Sequence, residues 1–392
     1  MYQVEFKLFD FAFRFSPVAF TVFGKDVFWY GIIITVGIIL AVLYAFMRAK
    51  QSGIKPDHMY DYSIFTIIFG IIGARTYYVL SELDSYNSFM DAIAIWKGGL
   101  AIYGGVIGGI CALIVTALVK KHKPLRILDC AAPATMIGQM IGRWGNYMNQ
   151  EAFGCNTDLP WGMRSFVYAP HDGVRMEGTV EYLSSHKSLL MQKNPDLIID
   201  PQGYVHPTFL YESLWNLLGF ILINIFYKKK KFDGAILFAY LGWYGLGRLF
   251  IEGLRTDSLY LGSTNIRLSQ LVALVCIVLS VFALVWGTVR AKGAGVTSLY
   301  AKNPYGKWMM VDAIEAELAE EAEEDEDDED YEDDETSDGE DGGNFDEEES
   351  DEEVLAEDIG EKCECETNAE DDGEINDTNA EEAEEKENGN NN

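Results

Sequence analysis

Cysteine and histidine are scarce in this chain. The six cysteines, at positions 111, 130, 155, 276, 363 and 365, are scattered over 392 residues and suggest no disulfide framework. Cys363 and Cys365 form one C-x-C in an acidic low-complexity segment, a weak signal for a metal. The five histidines (58, 122, 171, 186 and 206) are dispersed. There is no H-E-x-x-H zinc site, no G-x-S-x-G nucleophile elbow and no P-loop. An intramembrane hydrolase would need a nucleophile-base pair, and none is recognisable. Residues 1–26 have no central apolar block after a basic start, so no cleavable signal peptide is expected. Internal repeats and paired, broken helices are also missing, which argues against a transporter or flippase plan.

Basic residues are nearly missing from one region. Residues 312–392 hold 42 of the 62 acidic residues and only two lysines, a net charge of −40. The preceding 311 residues carry +8, so the total of −32 describes neither part. The acidic segment has almost no core-forming residues and is expected to be a disordered cytoplasmic tail. A scaffold that recruits basic partners through this tail is a competing reading, and so is a merely solvated segment.

What the chain has in quantity is apolar sequence. Runs long enough to cross a bilayer, about 20 residues each, lie near 27–47, 60–80, 95–119, 127–147, 206–227, 235–253 and 268–290. The fourth and sixth also carry glycine and arginine. Basic residues follow alternate runs: Arg48, Lys50 and Lys55, then Lys120, Lys121, Lys123 and Arg126, then Lys228–Lys231, then Arg290, Lys292 and Lys302. The intervening loops are acidic (81–94) or lack bases (256–265). The positive-inside rule then places the N-terminus outside and the C-terminus in the cytoplasm. The expected fold is all-α, a polytopic membrane protein with seven transmembrane helices. Residues 1–26 form an external interfacial segment, 27–290 the membrane domain, 151–205 a small external cap and 291–311 a cytoplasmic linker.

Polar groups at membrane depth are expensive and usually functional. The densest set is Ile141-Gly142-Arg143-Trp144-Gly145-Asn146-Tyr147-Met148-Asn149-Gln150-Glu151. On a helix, Arg143, Asn146 and Gln150 share a face. Helix packing with polar glue is the plainer alternative. Other polar stretches are Trp29-Tyr30-Gly31, Gly73-Ala74-Arg75-Thr76-Tyr77-Tyr78, Trp96 through Gly109 around Tyr103, His206 through Glu212, and Gly247 through Arg255. Arg75 either snorkels to the surface or points inward at an anion. Gly104/Gly108 and Gly105/Gly109 have the small-xxx-small spacing of tight helix packing. Arg248, Glu252 and Arg255 make a ladder at i, i+4 and i+7, whose plainer reading is a structural ion-pair network. Arg75, Arg143, Arg248 and Arg255 together suggest a substrate with an anionic head and an apolar body, such as a phospholipid. No nucleic-acid partner is expected.

Five stretches, in order, resemble the bacterial prolipoprotein diacylglyceryl transferase family. They are G-A-R-x-Y-Y (73–78), W-x-G-G-L-A-x-Y-G-G (96–105), G-R-W-G-N-Y-M-N-Q-E (142–151), H-P-T-x-L-Y-E (206–212) and G-R-x-x-x-E-x-x-R (247–255). Ser16-Pro17-Val18-Ala19-Phe20 leading to Trp29-Tyr30-Gly31 is similar too, so the resemblance covers about residues 15–290. It implies a seven-helix enzyme of the bacterial cytoplasmic membrane. Such an enzyme moves the diacylglyceryl group of phosphatidylglycerol to the lipobox cysteine of a prolipoprotein, with release of glycerol phosphate and no cofactor. It also implies roles for Arg143, Asn146, Arg248 and Glu252 and for Tyr30 and Gly154, while Arg143, Arg75, Glu151, His206 and Arg255 are further candidate substrate contacts and Tyr103 a further catalytic candidate. Some members have histidine, proposed as a base, where this chain has Tyr103. An imidazole mechanism therefore cannot apply here, and Tyr103 either takes over the role or packs.

Overall fold

A computed structural model describes residues 1–319, except 9–11, 84–85, 87, 96–97, 171–175, 194–198, 257–266, 305–306 and 317. Trp96, Lys97, His171 and nearly all of the acidic tail therefore lie outside the described residues.

The chain opens with strands: β1 (Tyr2–Phe6), β2 (Ala12–Phe15), β3 (Val18–Val22) and β4 (Lys25–Phe28). Seven long helices follow with shorter elements between them. They run as α1 (Trp29–Gln51), α2 (Pro56–Ser81), the short α3 (Phe89–Ile93), α4 (Ile102–Val119) and α5 (Pro124–Asn149). After β5 (Met163–Val167) and α6 (Thr179–Lys193) come α7 (Thr208–Phe226), α8 (Ala235–Ile251) and α9 (Leu268–Gly293). A hairpin of β6 (Tyr300–Lys302) and β7 (Trp308–Met310) follows α9.

Five of the long helices, α1, α2, α4, α7 and α9, are long and apolar enough to cross a membrane. The other two are α5 and α8, the fourth and sixth apolar runs of the sequence. Polar groups such as Arg126, Asp129, Gln139 and Arg143 dilute α5, and α8 is only 17 residues long. The helices are apolar on the outside. On α9 the buried positions are Ser269, Ala273, Ser280, Gly287 and Ala291, while Val278, Phe282, Val285 and Trp286 are exposed. That inversion suits a lipid surround, where small residues bring backbones together. Gly73, Gly104 and Gly108 do so between α2 and α4. A Cβ on any of them would come within 2.4 Å of a backbone oxygen on the other helix.

The fold is mostly helical but not all-α. Within residues 1–28, Phe6, Phe13 and Phe15 alternate with polar neighbours and lie on strands, since period-two alternation is the pattern of a half-buried strand. β1 pairs antiparallel with β2 and with β5, which joins the N-terminus to segment 151–205. That segment has its own core of Phe153, Met163, Leu183, Leu190, Ile199 and Val205, joined by Phe209 of α7. Across the sheet, Arg164 donates to Glu5 (2.6 Å) and holds its carboxyl below the usual range. A carboxyl depressed in the folded state stabilises above its unfolded pKa of about 4.3 and stops doing so as pH falls through the folded value. Glu5→Gln is therefore expected to lower the thermal midpoint near neutral pH by an amount equivalent to about 0.2–1 kcal/mol. The difference from wild type should vanish toward about pH 3.

At the other end of the bundle, Asp129 is fully buried. It accepts from Lys230 Nζ (3.0 Å) and from the amides of Gly234 and Leu237 at the start of α8. Residues 291–311 are more than a linker here. Tyr300 and Met310 of the terminal hairpin pack with Ala132, Met136, Ile223, Tyr227 and Ile236. Residues 311–316 are helical, Ala313 joins the same cluster, and Asp312 pairs with Arg126 at 2.5 Å. Ordered structure thus continues past the compositional boundary at 311, because apolar residues up to Ala313 still find a core.

Candidate active site

The C-terminal ends of α5 and α8 and the N-terminal ends of α1, α4 and α7 meet at one end of the bundle. At their centre is Glu212, on the first turns of α7 and only 5 % exposed. Arg143 Nη2 lies 2.6 Å from Glu212 Oε2, Arg248 Nη1 3.3 Å from Oε1 and Arg255 Nη1 3.2 Å from Oε1. Arg248 Nη2 also pairs with Glu252 Oε2 at 2.8 Å. Glu252 is buried, and its carbonyl accepts from Arg267. Among the described side chains, Arg143, Arg248 and Arg255 outnumber Glu212 and Glu252 by one positive charge. Buried charges need partners, and a surplus guanidinium fork fits phosphate or carboxylate.

The sequence ladder is only partly realised. α8 ends at Ile251, residues 252–254 make a 3-10 turn, and Arg255 is extended (φ −76°, ψ 144°). Arg255 therefore reaches Glu212, while Glu252 pairs with Arg248. On α5, Arg143 Nη1 donates to Asn146 Oδ1 (3.4 Å), so that pair does share a face. Gln150 does not, because it caps the helix in the left-handed region (φ 54°). Glu151 follows and accepts from Asn146 (2.9 Å) and Asn149 (3.4 Å). The Tyr30 ring packs on Gly145, where a Cβ would come within 2.9 Å of it. Tyr30 is within electrostatic reach of Arg143 and Glu151, and Tyr103 of Arg248 and Glu252. The Tyr103 ring also lies 6.3 Å from that of Tyr77.

Three expected contact residues are employed elsewhere. Arg75 is buried and donates to the carbonyls of Asp91, Ala92, Gly98 and Gly99 at 2.5–2.9 Å. Its Nε, Nη1 and Nη2 are all engaged by backbone carbonyls. It clamps the turn before α4, where Gly98 and Gly99 have positive φ, and this delays the start of the third long helix to Ile102. His206 Nδ1 is 3.1 Å from Tyr211 Oη, which accepts from Trp161 (2.7 Å), and burial lowers the pKa of this histidine. Gly154 is structural. Its amide donates to His206, its neighbour Cys155 donates to Leu254, and a Cβ would sit 2.7 Å from that of His206. Gly154→Ala is expected to cost about 1–3 kcal/mol through this overpacking. A thermal melt within a degree of wild type would refute that.

Glu212 was in view in the sequence only as the last letter of H-P-T-x-L-Y-E. The signal available was an acid at the head of an apolar run. The device that seats Arg248 was not visible. Trp215 and Trp243 stack at 4.4 Å and each donates its indole N–H to the other's carbonyl (3.0 and 2.9 Å). Gly247, next to Arg248, leaves room for the Trp215 indole, since a Cβ there would come within 2.3 Å of Nε1. Gly247→Ala is expected to push α8 from α7 and lower turnover about tenfold or more, as small misplacements of a binding group do. Unchanged turnover in a folded variant would show that this seat is not needed.

Beside the cluster, an apolar groove of about 400 Å3 opens among Phe6, Phe13, Trp144, Tyr147, Trp161 and Phe209. Trp144 adjoins Arg143 in the chain and donates to Ser213 Oγ (3.2 Å) next to Glu212. A cationic centre thus lies next to an aromatic-walled groove, which suits an amphiphile. Among the described residues no group of three or more potential metal ligands is gathered.

The prolipoprotein diacylglyceryl transferase family model matches residues 17–286. The chain is 40 % identical over 279 residues to phosphatidylglycerol-prolipoprotein diacylglyceryl transferase 1 of Clostridium perfringens, covering 71 % of this chain and 96 % of that protein. It is 41 % identical over 266 residues to the same-named transferase of Finegoldia magna (67 % and 92 %). It is 37 % identical over 297 residues to that of Listeria monocytogenes (74 % and 95 %). The matched span includes the whole arginine-glutamate cluster, and the chain belongs to the prolipoprotein diacylglyceryl transferase family.

Proposed function

We propose that this protein transfers the diacylglyceryl group of phosphatidylglycerol to the lipobox cysteine of prolipoprotein signal peptides, in the cytoplasmic membrane of a bacterium. All seven long helices then span the bilayer. The strands and the 151–205 cap lie outside, and the basic loops and acidic tail lie in the cytoplasm. The carrying observation is the convergence of Arg143, Arg248 and Arg255 on Glu212 with one charge to spare.

The chemistry follows from residue types. The peptide thiol, with an ordinary pKa of about 8.5, must lose its proton to attack. The thiolate bonds to the terminal glycerol carbon of the diacylglyceryl group, the C–O bond to phosphate breaks, and glycerol phosphate leaves, its phosphate taking up in net the proton that the thiol gave up. Arg143 and Arg248 hold that phosphate and take up its growing charge. Asn146 and Glu151 orient Arg143 and the head group, and Glu252 holds Arg248. Tyr30 closes the site over Gly145, and Tyr103 faces the Arg248–Glu252 pair. Acyl chains or the apolar segment of the peptide occupy the aromatic groove.

The test is transfer by purified protein in detergent, from phosphatidylglycerol to a synthetic lipobox peptide, read as a mass gain on cysteine. No gain with folded protein, across several head groups, would end the transferase reading and favour lipid transport.

A further inference from the structure

A second groove lies at the opposite end of the bundle. It has a volume of about 580 Å3 and is walled by Leu125, Phe232, Phe238, Leu279, Phe282 and Trp286. Phe238 and Arg248 are ten residues apart on α8, about 15 Å, so this groove is separate from the arginine-glutamate cluster. In a bilayer an open apolar groove between helices must hold something apolar, and acyl chains are the material at hand.

Its rim is what selects among them. Lys231 and Arg290 both line the groove, and among the described residues neither has an acidic partner. Arg290 lies over the Trp286 ring at 5.8 Å, which keeps its guanidinium at the groove. The one acid on the rim, Asp233, is already matched by Lys123 (3.8 Å), Arg126 (3.5 Å) and Lys230 (3.4 Å). The rim therefore carries net positive charge over an apolar slot. A basic pocket between helices on the cytoplasmic side is the arrangement that binds anionic lipid head groups. We propose that this groove is a binding site for an anionic phospholipid of the leaflet at the basic end, with an acyl chain along Phe238, Phe282 and Trp286 and the phosphate between Lys231 and Arg290. The proposal rests on the membrane placement of the helices and not on the transfer chemistry.

The test uses the full chain in bilayer discs, with a diazirine in the acyl chain of phosphatidylglycerol or of phosphatidylcholine. The phosphatidylglycerol probe is expected to label the peptide covering residues 279–296 at least about fivefold more than the phosphatidylcholine probe, roughly 1 kcal/mol of preference. Lys231→Gln with Arg290→Gln should remove that preference and leave peptide lipidation unchanged. Lys231→Arg with Arg290→Lys should keep both, which guards against a misfolded variant. Equal labelling by the two probes, or a preference that survives the double glutamine variant, would mean an annular lipid only and overturn the proposal. So would labelling that appears only after residues 320–392 are removed, since the acidic tail would then be the occupant. Labelling in a chain inactive toward the peptide would leave the groove assigned and remove only the transferase reading.

Discussion

Arg143→Ala is expected to reduce transfer to lipobox peptide by about 10²–10³-fold or more, while the protein still inserts and melts cooperatively. Arg143 makes one ion pair to Glu212 and one hydrogen bond to Asn146. Its side chain is 22 % exposed. Its loss leaves Arg248 and Arg255 against Glu212 and Glu252, a cluster with no surplus charge. The phosphate then has no net attraction where it must depart. Arg143→Lys should recover only part of the rate, because a point charge cannot hold Glu212 and phosphate through separate N–H groups as the fork can. The readout is initial rate of mass gain on the peptide cysteine, with a melt on the same sample. Normal turnover in a stably folded Arg143→Ala protein would remove this arginine from the mechanism.

Glu212→Gln should have the second largest effect, on stability as well as rate. Three guanidiniums lie within 2.6–3.3 Å of that carboxylate, and it is nearly inaccessible to water. Deleting the charge removes the carboxylate that Arg143, Arg248 and Arg255 share. Removing one partner of a buried pair typically costs about 3–5 kcal/mol, which should appear as a clear fall in thermal midpoint. Anionic lipid should partly replace the missing charge, so added phosphatidylglycerol ought to raise the midpoint of Glu212→Gln more than that of wild type. Turnover should still fall about 100-fold, because the arginines are no longer held in one geometry. A variant with wild-type melting and wild-type rate would show that Glu212 is a bystander.

Several features were readable before any coordinates. Five of the seven apolar runs coincide with helices long and apolar enough to cross a membrane, because hydrophobic length is a local property of sequence. Gly104/Gly108 predicted close helix approach because spacing sets which residues share a helix face. Arg143, Asn146, Arg248 and Glu252 stand out because polar and charged groups within apolar sequence are conspicuous wherever they occur.

Other features needed the third dimension. The partner of β1, β5, is more than 150 residues away, so local pattern could not tell a strand from a surface segment. Arg75 had the same credentials as Arg143. Only the path of residues 91–99 shows its donors spent on backbone carbonyls. Glu212 became the hub because three chain segments end around it. The break of α8 at Ile251 then sent Arg255 to Glu212 rather than along a ladder to Glu252. The sequence by itself determined which segments are apolar helices and which charges they must bury. The tertiary structure decided which charge meets which, because that depends on where helix ends converge, and convergence is set by packing between segments far apart in the chain.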